Sequence, residues 1–123
     1  LIVRRGCTRN SKLTSDHEFT RVLTQIISQA DIVIIAVGIP DFLKGEMIKD
    51  DAVIIDVGIT RVPDDSAPKG YVLKGDVDFE NVSKRASFIT PVPGGVGPMT
   101  VSMLLKNTLL ARERHKVART VKK

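Results

Sequence analysis

A ten-residue segment, Pro91 to Thr100, has the composition of a loop that faces a ligand. It reads Pro-Val-Pro-Gly-Gly-Val-Gly-Pro-Met-Thr, so six of its ten residues are proline or glycine. Proline fixes φ and has no N–H to donate, while glycine adopts backbone angles that other residues avoid. We therefore predict that neither a helix nor a paired strand continues through this segment. Because a helical pattern follows from Val101, the loop can direct backbone N–H groups at a flat ligand. A rigid connection between a strand and a helix is the alternative.

Two continuous apolar runs, at 32–37 and 53–57, predict the strands that position this segment. Runs rich in Ile and Val without alternation are typical of central strands in a parallel sheet, where both faces are covered. We therefore expect the two strands to be parallel neighbours at the centre of the sheet, with Ile34 and Ile55 buried.

Each of these runs ends at a glycine, Gly38 or Gly58. Taken alone, either glycine is more typical of a turn that ends a strand. In doubly wound sheets, however, ligands bind beyond the carboxyl ends of the strands. The two glycines and the Pro91 segment are all predicted to lie at that edge, which favours a single binding site.

The rest of the chain alternates between strand and helix patterns. The predicted elements are a strand at 1–3, a helix opened by a capping box of Ser15 and Glu18, a short helix at 45–49, a surface loop at 62–70, a strand at 71–73, a helical turn at 79–85 and a strand at 87–90. This alternation predicts an α/β fold with a Rossmann-like, doubly wound, mainly parallel sheet. The chain begins with Leu-Ile-Val and no initiator methionine. We expect it to enter the fold midway, leaving the sheet incomplete at its N-terminus.

The positive charge of the chain is concentrated at its C-terminal end. The net charge is +5, and residues 112–123 carry six basic side chains against Glu113, so residues 1–111 are neutral overall. A nucleic-acid-binding protein is expected to show a basic patch on its folded face. We therefore predict a domain at 1–111, a basic C-terminal tail at 112–123 and no nucleic-acid partner.

Composition also bears on the compartment and on metal binding. Cys7 is the single cysteine, so the chain has neither an internal disulfide nor a thiolate cluster for a metal. His17 and His115 are far apart in sequence and lie among polar residues, which predicts surface positions and no metal site. No apolar run approaches the roughly 20 residues that span a bilayer. We expect a cytoplasmic protein without membrane contact, with an organellar location as the alternative.

The Pro91 segment resembles the signature of the bifunctional methylenetetrahydrofolate dehydrogenase/cyclohydrolase family. Further motifs of that family follow the same order in this chain, at 36–40, 53–59, 75–79 and 103–108. Several motifs in order across residues 20–111 make the resemblance specific. It implies a partial NAD(P)-binding domain at 1–111, NADP as the cofactor with NAD as the alternative, tetrahydrofolate derivatives as ligands, and a homodimer.

The resemblance also assigns site residues. A nicotinamide ring needs close backbone approach and apolar walls, which the residues at the two strand ends can supply. The implied cofactor-binding residues are Val37, Gly38, Ile39, Pro40, Gly58 and Ile59. The implied folate-binding residues are Pro91, Val92, Pro93, Gly94, Gly95, Val96, Gly97, Pro98, Met99 and Thr100. Gly95 is the position at which we expect a side chain to obstruct the ligand or to force the loop out of shape, with Gly95→Val weakening folate use while leaving the fold largely intact.

Charged residues near the predicted site receive no catalytic role. Asp56 and Asp76 lie at strand ends, and Asp76 is expected to hold loops by accepting hydrogen bonds from backbone N–H groups. The first strand is followed by three arginines, any of which could accept a cofactor 2′-phosphate or be an exposed loop residue. They are Arg4, Arg5 and Arg9.

Two elements of the family are missing from the chain. Neither the Gly-Arg-Ser-x-x-Val-Gly phosphate loop nor the Tyr-x-x-x-Lys element that supplies the catalytic lysine occurs, and Tyr71 precedes Lys74 at the wrong spacing. No catalytic residue is therefore assigned. The chain is interpreted as part of a folate enzyme that oxidises 5,10-methylenetetrahydrofolate and hydrolyses the methenyl product. The alternatives are a truncated, non-catalytic paralogue that serves oligomerisation or regulation, and an unrelated nicotinamide dehydrogenase, which is disfavoured because its phosphate loop would also be missing.

Overall fold

The structure, a computed structural model, describes residues 1–4 and 16–121 as an α/β arrangement. The elements, in chain order, are β1 Ile2–Arg4, α1 Asp16–Ile27, β2 Ile32–Ala36, a 3-10 turn Gly45–Met47, β3 Val53–Asp56, β4 Thr60–Pro63, β5 Tyr71–Lys74, α2 Phe79–Val82, β6 Phe88–Ile89 and α3 Val96–Val121. β1, β2, β3 and β6 form a parallel sheet in that order, and β4 pairs with β5 in a separate antiparallel hairpin.

The two central strands are those predicted from the apolar runs. β2 and β3 are parallel neighbours, with Ile32 beside Val53 and Ile34 beside Ile55. Because parallel strands end at the same edge of a sheet, this register brings the segments that follow β2 and β3 next to each other. The Val57 N–H donates to the Ile35 carbonyl at 2.9 Å, which continues the pairing past the end of β3.

The core lies on one face of the sheet. Val33, Ile35 and Ile54 are fully buried there. Apolar side chains of the helical elements join them in one cluster, among them Leu23 and Ile27 of α1, Met47 and Ile48 of the 3-10 turn and its exit, and Val82 of α2.

The prediction that Ile34 and Ile55 are buried was wrong, because both are only partly covered. Successive side chains of a strand point to opposite faces, so these two lie opposite the core face. On the same face Ile32 is half exposed. Within residues 1–4 and 16–121, the elements that join the core cluster cover only one face of the sheet. The unbroken apolar runs therefore predicted more burial on the opposite face than the structure shows.

Several predicted boundaries also shift. The helix expected at 45–49 is the 3-10 turn, the one at 79–85 is the shorter α2, and the loop expected at 62–70 begins inside β4. α3 starts at Val96, so the second half of the Pro91 segment is helical. Pro98 is tolerated there because the first four N–H groups of a helix have no partner within it. Ser15 lies outside the described residues, so its capping box stays a prediction.

α3 is long, and its residues from Gly97 to His115 are exposed. Residues 112–121 of the basic segment continue this helix, and the apolar side chains of Val101, Leu104 and Leu105 are exposed. Among the residues that the structure describes, no helix combines the length and the hydropathy needed to cross a bilayer.

Because the core lies on one face of the sheet, replacing two matched isoleucines with alanine should lower stability by different amounts. Ile54→Ala should lower the free energy of unfolding by about 3 kcal/mol, because it leaves a cavity in the covered face. Ile32→Ala, on the neighbouring strand but half exposed, should cost less than about 1 kcal/mol. Urea denaturation of the chain measures both, and equal losses would contradict a core confined to one face.

Candidate functional site

The buried carboxylate of Asp76 holds the loop that follows β2. Asp76 is fully buried, and its Oδ2 accepts the N–H groups of Val37 at 2.7 Å and Gly38 at 2.8 Å. This confirms the interpretation that Asp76 fixes loops through backbone N–H groups. The other oxygen, Oδ1, is buried and has no hydrogen-bond partner among the described residues.

A second buried carboxylate, Asp56, ties the ends of β3 and β5 together. Its Oδ1 accepts the N–H groups of Gly58 at 2.9 Å and Asp76 at 3.1 Å, and its Oδ2 accepts that of Val77 at 3.1 Å. The Asp56 N–H itself donates to Thr90 Oγ1 at 2.8 Å, which adds the end of β6. Sequence reasoning missed this role. An aspartate two residues before a glycine at a strand end is the available signal, because Asp side chains often bond the backbone two residues ahead.

Two glycines make room for these carboxylates. A side chain at Gly58 would collide with the carboxylate of Asp76, and one at Gly75 would collide with that of Asp56 and with Val92. Gly58 is itself buried. The structure therefore gives Gly58 a packing role, in addition to the cofactor contact that the sequence predicts for it.

Burial raises the pKa of the Asp56 carboxyl above its ordinary value, and the nearby charge of Asp76 acts in the same direction. The three backbone N–H groups that Asp56 accepts oppose this rise without cancelling it. Both carboxylates are buried, and backbone donors occupy both oxygens of Asp56 and Oδ2 of Asp76. The two aspartates therefore organise the strand ends.

A cavity of about 140 Å³ opens at the edge of the sheet organised by these carboxylates. Its walls come from the segment after β3 and from the Pro91 segment, and the lining residues are Asp56, Val57, Gly58, Ile59, Pro91, Val92, Pro93, Gly94, Gly95, Val96, Gly97 and Thr100. The structure thus brings together most of the predicted folate-binding residues with two predicted cofactor-binding residues. Pro98 and Met99 do not line this cavity, and neither does the segment from Val37 to Pro40.

The glycines of the Pro91 segment differ in what a side chain would meet. Gly94 has φ +102°, a conformation that favours glycine. A Cβ at Gly95 would lie 2.5 Å from the Pro91 carbonyl oxygen, so a side chain there distorts the loop itself. Of the two effects expected of a side chain at Gly95, this geometry supports distortion of the loop. Gly97 lines the cavity and has open space around its Cβ position, so it is the better probe.

The loop after β2 offers backbone and apolar side chains to solvent. Gly38 has φ +72° and no atom within 4 Å of its Cβ position. Ile39 is 43% exposed, and Ile59, beyond the neighbouring strand, is 62% exposed. Open backbone flanked by accessible isoleucines fits a flat aromatic ring. Of the three candidate 2′-phosphate ligands, Arg5 and Arg9 lie outside the described residues, and the structure describes only the backbone of the third, Arg4.

A model of the family described as "Tetrahydrofolate dehydrogenase/cyclohydrolase, NAD(P)-binding domain" matches residues 3–116. The chain belongs to this family. The match covers nearly all of the α/β arrangement and the whole sheet edge at which the cavity lies. It confirms the resemblance found in the sequence motifs, and with it the Rossmann-like, mainly parallel fold.

Curated relatives and a solved structure agree with this assignment. The chain is 83% identical over 115 residues to the bifunctional protein FolD of Christiangramia forsetii, a match covering 94% of this chain and 38% of the relative. It is 67% identical over 117 residues to the bifunctional protein FolD of Flavobacterium psychrophilum, covering 95% of this chain and 40% of the relative. The Trypanosoma brucei methylenetetrahydrofolate dehydrogenase-cyclohydrolase, solved with NADP and an inhibitor, matches with 54% identity and a TM-score of 0.70, over 77% of this chain and 32% of that one. The chain thus spans about two fifths of these curated relatives.

The environments of two aspartates predict opposite shifts in titration. Asp56 should titrate above the ordinary aspartate range, because it is buried, and Asp31 below it, because Lys49 donates a hydrogen bond to it. A raised pKa in the folded state means that the contribution of Asp56 to stability is present at low pH and is lost as pH rises through that pKa. Carboxyl-carbon NMR across a pH series measures both groups. A pKa of Asp56 at or below that of Asp31 would contradict the buried environment of Asp56.

Proposed function

We propose that this chain is the NAD(P)-binding portion of a bifunctional folate enzyme. The reactions are the oxidation of 5,10-methylenetetrahydrofolate with NADP and the hydrolysis of 5,10-methenyltetrahydrofolate to 10-formyltetrahydrofolate. The observation that carries the proposal is the sheet edge at which a carboxylate network fixes the cofactor loop beside the Pro91 cavity. The membership of the chain in the folate dehydrogenase/cyclohydrolase family, and the NADP bound in the Trypanosoma brucei relative, support the same conclusion.

In this proposal the loop after β2 and the start of the segment after β3 hold the cofactor. When bound, NADP supplies the acceptor for a hydride from the folate methylene bridge. The exposed side chains of Ile39 and Ile59 provide apolar surface against the nicotinamide and exclude water from it. Asp76 fixes the two N–H groups at the start of the first loop, so the backbone is already in place before the cofactor arrives, which reduces the ordering cost of binding.

The Pro91 segment provides the folate side of the site. Its cavity adjoins Gly58 and Ile59, so a pterin held there lies beside the nicotinamide position, as hydride transfer requires. The described residues of the cavity include no lysine, histidine or glutamate, and Asp56 is occupied by three backbone donors. Proton transfer and water activation are therefore assigned to groups other than the described residues that line this cavity.

A non-catalytic paralogue with an oligomerisation or regulatory role is the second candidate. The exposed apolar side chains of Phe88 and of the α3 leucines favour it. The intact cavity and the glycines that keep it open oppose it, because a scaffold has no need for open space at Gly97.

We also propose that the protein is a cytoplasmic homodimer. The support for self-association is the apolar surface that remains exposed, including Phe88 on β6 and the leucines of α3, since large exposed apolar patches mark interaction surfaces. Light scattering coupled to size-exclusion chromatography measures the oligomeric state, and a monomer at micromolar concentration would contradict the dimer.

Gly97→Ala tests the ligand-facing assignment of the Pro91 cavity. The change is made in a chimaera in which this chain replaces the 115-residue segment that it matches in the Christiangramia forsetii protein. Because the added methyl group enters open space in the cavity, kcat/KM for methylenetetrahydrofolate should fall about tenfold or more. The melting temperature should hold or rise, because alanine favours a helix more than glycine does.

Glu113→Ala is the matched control, since Glu113 is an exposed residue of α3 outside the cavity. It should leave kcat/KM within about twofold of the parent chimaera. An unchanged kcat/KM in Gly97→Ala would show that the cavity does not hold the folate.

The isolated 123-residue chain should be inactive. No described residue of the cavity is free to act as an acid or base, so neither dehydrogenase nor cyclohydrolase turnover is expected from the purified chain. Assays of NADPH formation and of methenyl hydrolysis measure the two reactions, with the chimaera as the positive control. Turnover that co-purifies with the chain, and is abolished by Gly97→Val within it, would overturn this assignment.

A further inference from the structure

Three consecutive residues at the end of β5 hold both ends of the loop that follows β2. Asp76 accepts the N–H groups of Val37 and Gly38 at the start of the loop. At its far end, the Asp41 N–H donates to the Gly75 carbonyl at 3.3 Å. The Asp41 Oδ2 and the Lys74 Nζ form an ion pair at 2.7 Å.

The far anchor holds a backbone conformation that the loop does not favour by itself. Asp41 has φ +54°, in the left-handed region that residues other than glycine rarely adopt. Such a conformation persists when the surrounding structure fixes it. Here the fixing contacts are the Gly75 carbonyl on the backbone and Lys74 on the side chain.

The segment between the two anchors carries the apolar face of the candidate cofactor site. Ile39 is exposed and lies between Gly38, held by Asp76, and Asp41, held by Lys74. Displacement of either anchor would move this side chain relative to the site. Residues 74–76 therefore act on the loop from outside the site.

We infer that Lys74 and Asp41 are positioning residues for the cofactor, because their ion pair holds the loop from 38 to 41 in the conformation that binds NADP. This inference rests on the proposed function of that loop. Neither side chain lines the cavity at the Pro91 segment, so both act through the loop and not by touching the folate.

A purely structural ion pair would behave differently from a positioning pair. The side chains of Lys74 and Asp41 are 45% and 40% exposed, and pairs this accessible contribute little to global stability. Loss of the pair should therefore leave the melting temperature nearly unchanged. The fraction of molecules with the loop in its binding conformation should fall, which weakens cofactor binding without altering the bound site.

The test compares five variants of the Christiangramia forsetii chimaera, one of which combines Lys74→Met with Asp41→Asn. Lys74→Met removes the charge and keeps the stem, and Asp41→Asn removes the charge and keeps a residue that tolerates the left-handed conformation. Lys74→Arg keeps the pair. The matched control is Lys44→Met, which removes the neighbouring Lys44–Asp78 pair on the same surface without touching the loop.

The measurements are the NADP dissociation constant by calorimetry, KM and kcat with NADP, and the melting temperature. Lys74→Met and Asp41→Asn should each raise the dissociation constant and KM about three- to tenfold, while kcat at saturating NADP changes less than about twofold. The double variant should be no weaker than the weaker single variant, since both remove the same contact. Lys74→Arg and Lys44→Met should bind NADP as the parent chimaera does.

Two results would overturn the inference and can be told apart. If the parent chimaera binds NADP and the variants bind it equally well, or if Lys44→Met weakens binding as much as Lys74→Met does, the positioning role is wrong and the proposed function stands. If the parent chimaera does not bind NADP, while the unmodified Christiangramia forsetii protein does, the proposed cofactor function of this chain fails and the inference fails with it.

Discussion

Within the described residues, the buried carboxylates Asp56 and Asp76 form no ion pair and are balanced by backbone N–H groups. A buried charge without hydrogen bonds is strongly unfavourable, and so is a buried N–H without an acceptor. At this sheet edge the carboxylates and the N–H groups satisfy each other, except at Asp76 Oδ1, which has no partner among the described residues. The carboxylates are held by the ends of β2, β3 and β5, and those strand ends stay in place because the carboxylates are there. The geometry of the candidate site depends on these hydrogen bonds between carboxylates and backbone N–H groups.

The same constraint explains the composition of the edge. Gly58 and Gly75 leave the space that the two carboxylates occupy, so the glycines and aspartates work as pairs. The carboxylates face inward, which leaves the outer surface of the loops to open backbone and isoleucine. A surface of this kind binds a flat ring by contact and shape, and the described residues that line its cavity provide no free acid or base. In the proposed function, this cavity contributes binding, and the acid and base groups come from outside its described lining.

The sequence pattern was sufficient to predict the elements that depend on local backbone preferences. The β2 and β3 runs, their parallel pairing and the glycines that end them follow from branched side chains and from residues that interrupt strands. The sequence predicted β5 of the hairpin but not β4. Pro63 and the polar residues after it indicate a loop, whereas cross-strand pairing of Pro63 with Tyr71 extends the strand. The start of α3 was placed too late, because proline and glycine in a first helical turn cost less than they do in a helix interior.

From its sequence alone, this protein was identifiable as a Rossmann-like, NAD(P)-binding chain of the folate dehydrogenase/cyclohydrolase family, because its motifs are local and occur in the family's order. Tertiary structure alone decided which partners those residues meet. Asp56 and Asp76 are 20 residues apart in sequence, yet the Asp76 N–H binds Asp56 Oδ1. Gly95 and Gly97 look equivalent in sequence, yet one packs against its own loop and the other faces open space. Such distinctions depend on distances between strand ends, which residue types and spacing do not contain.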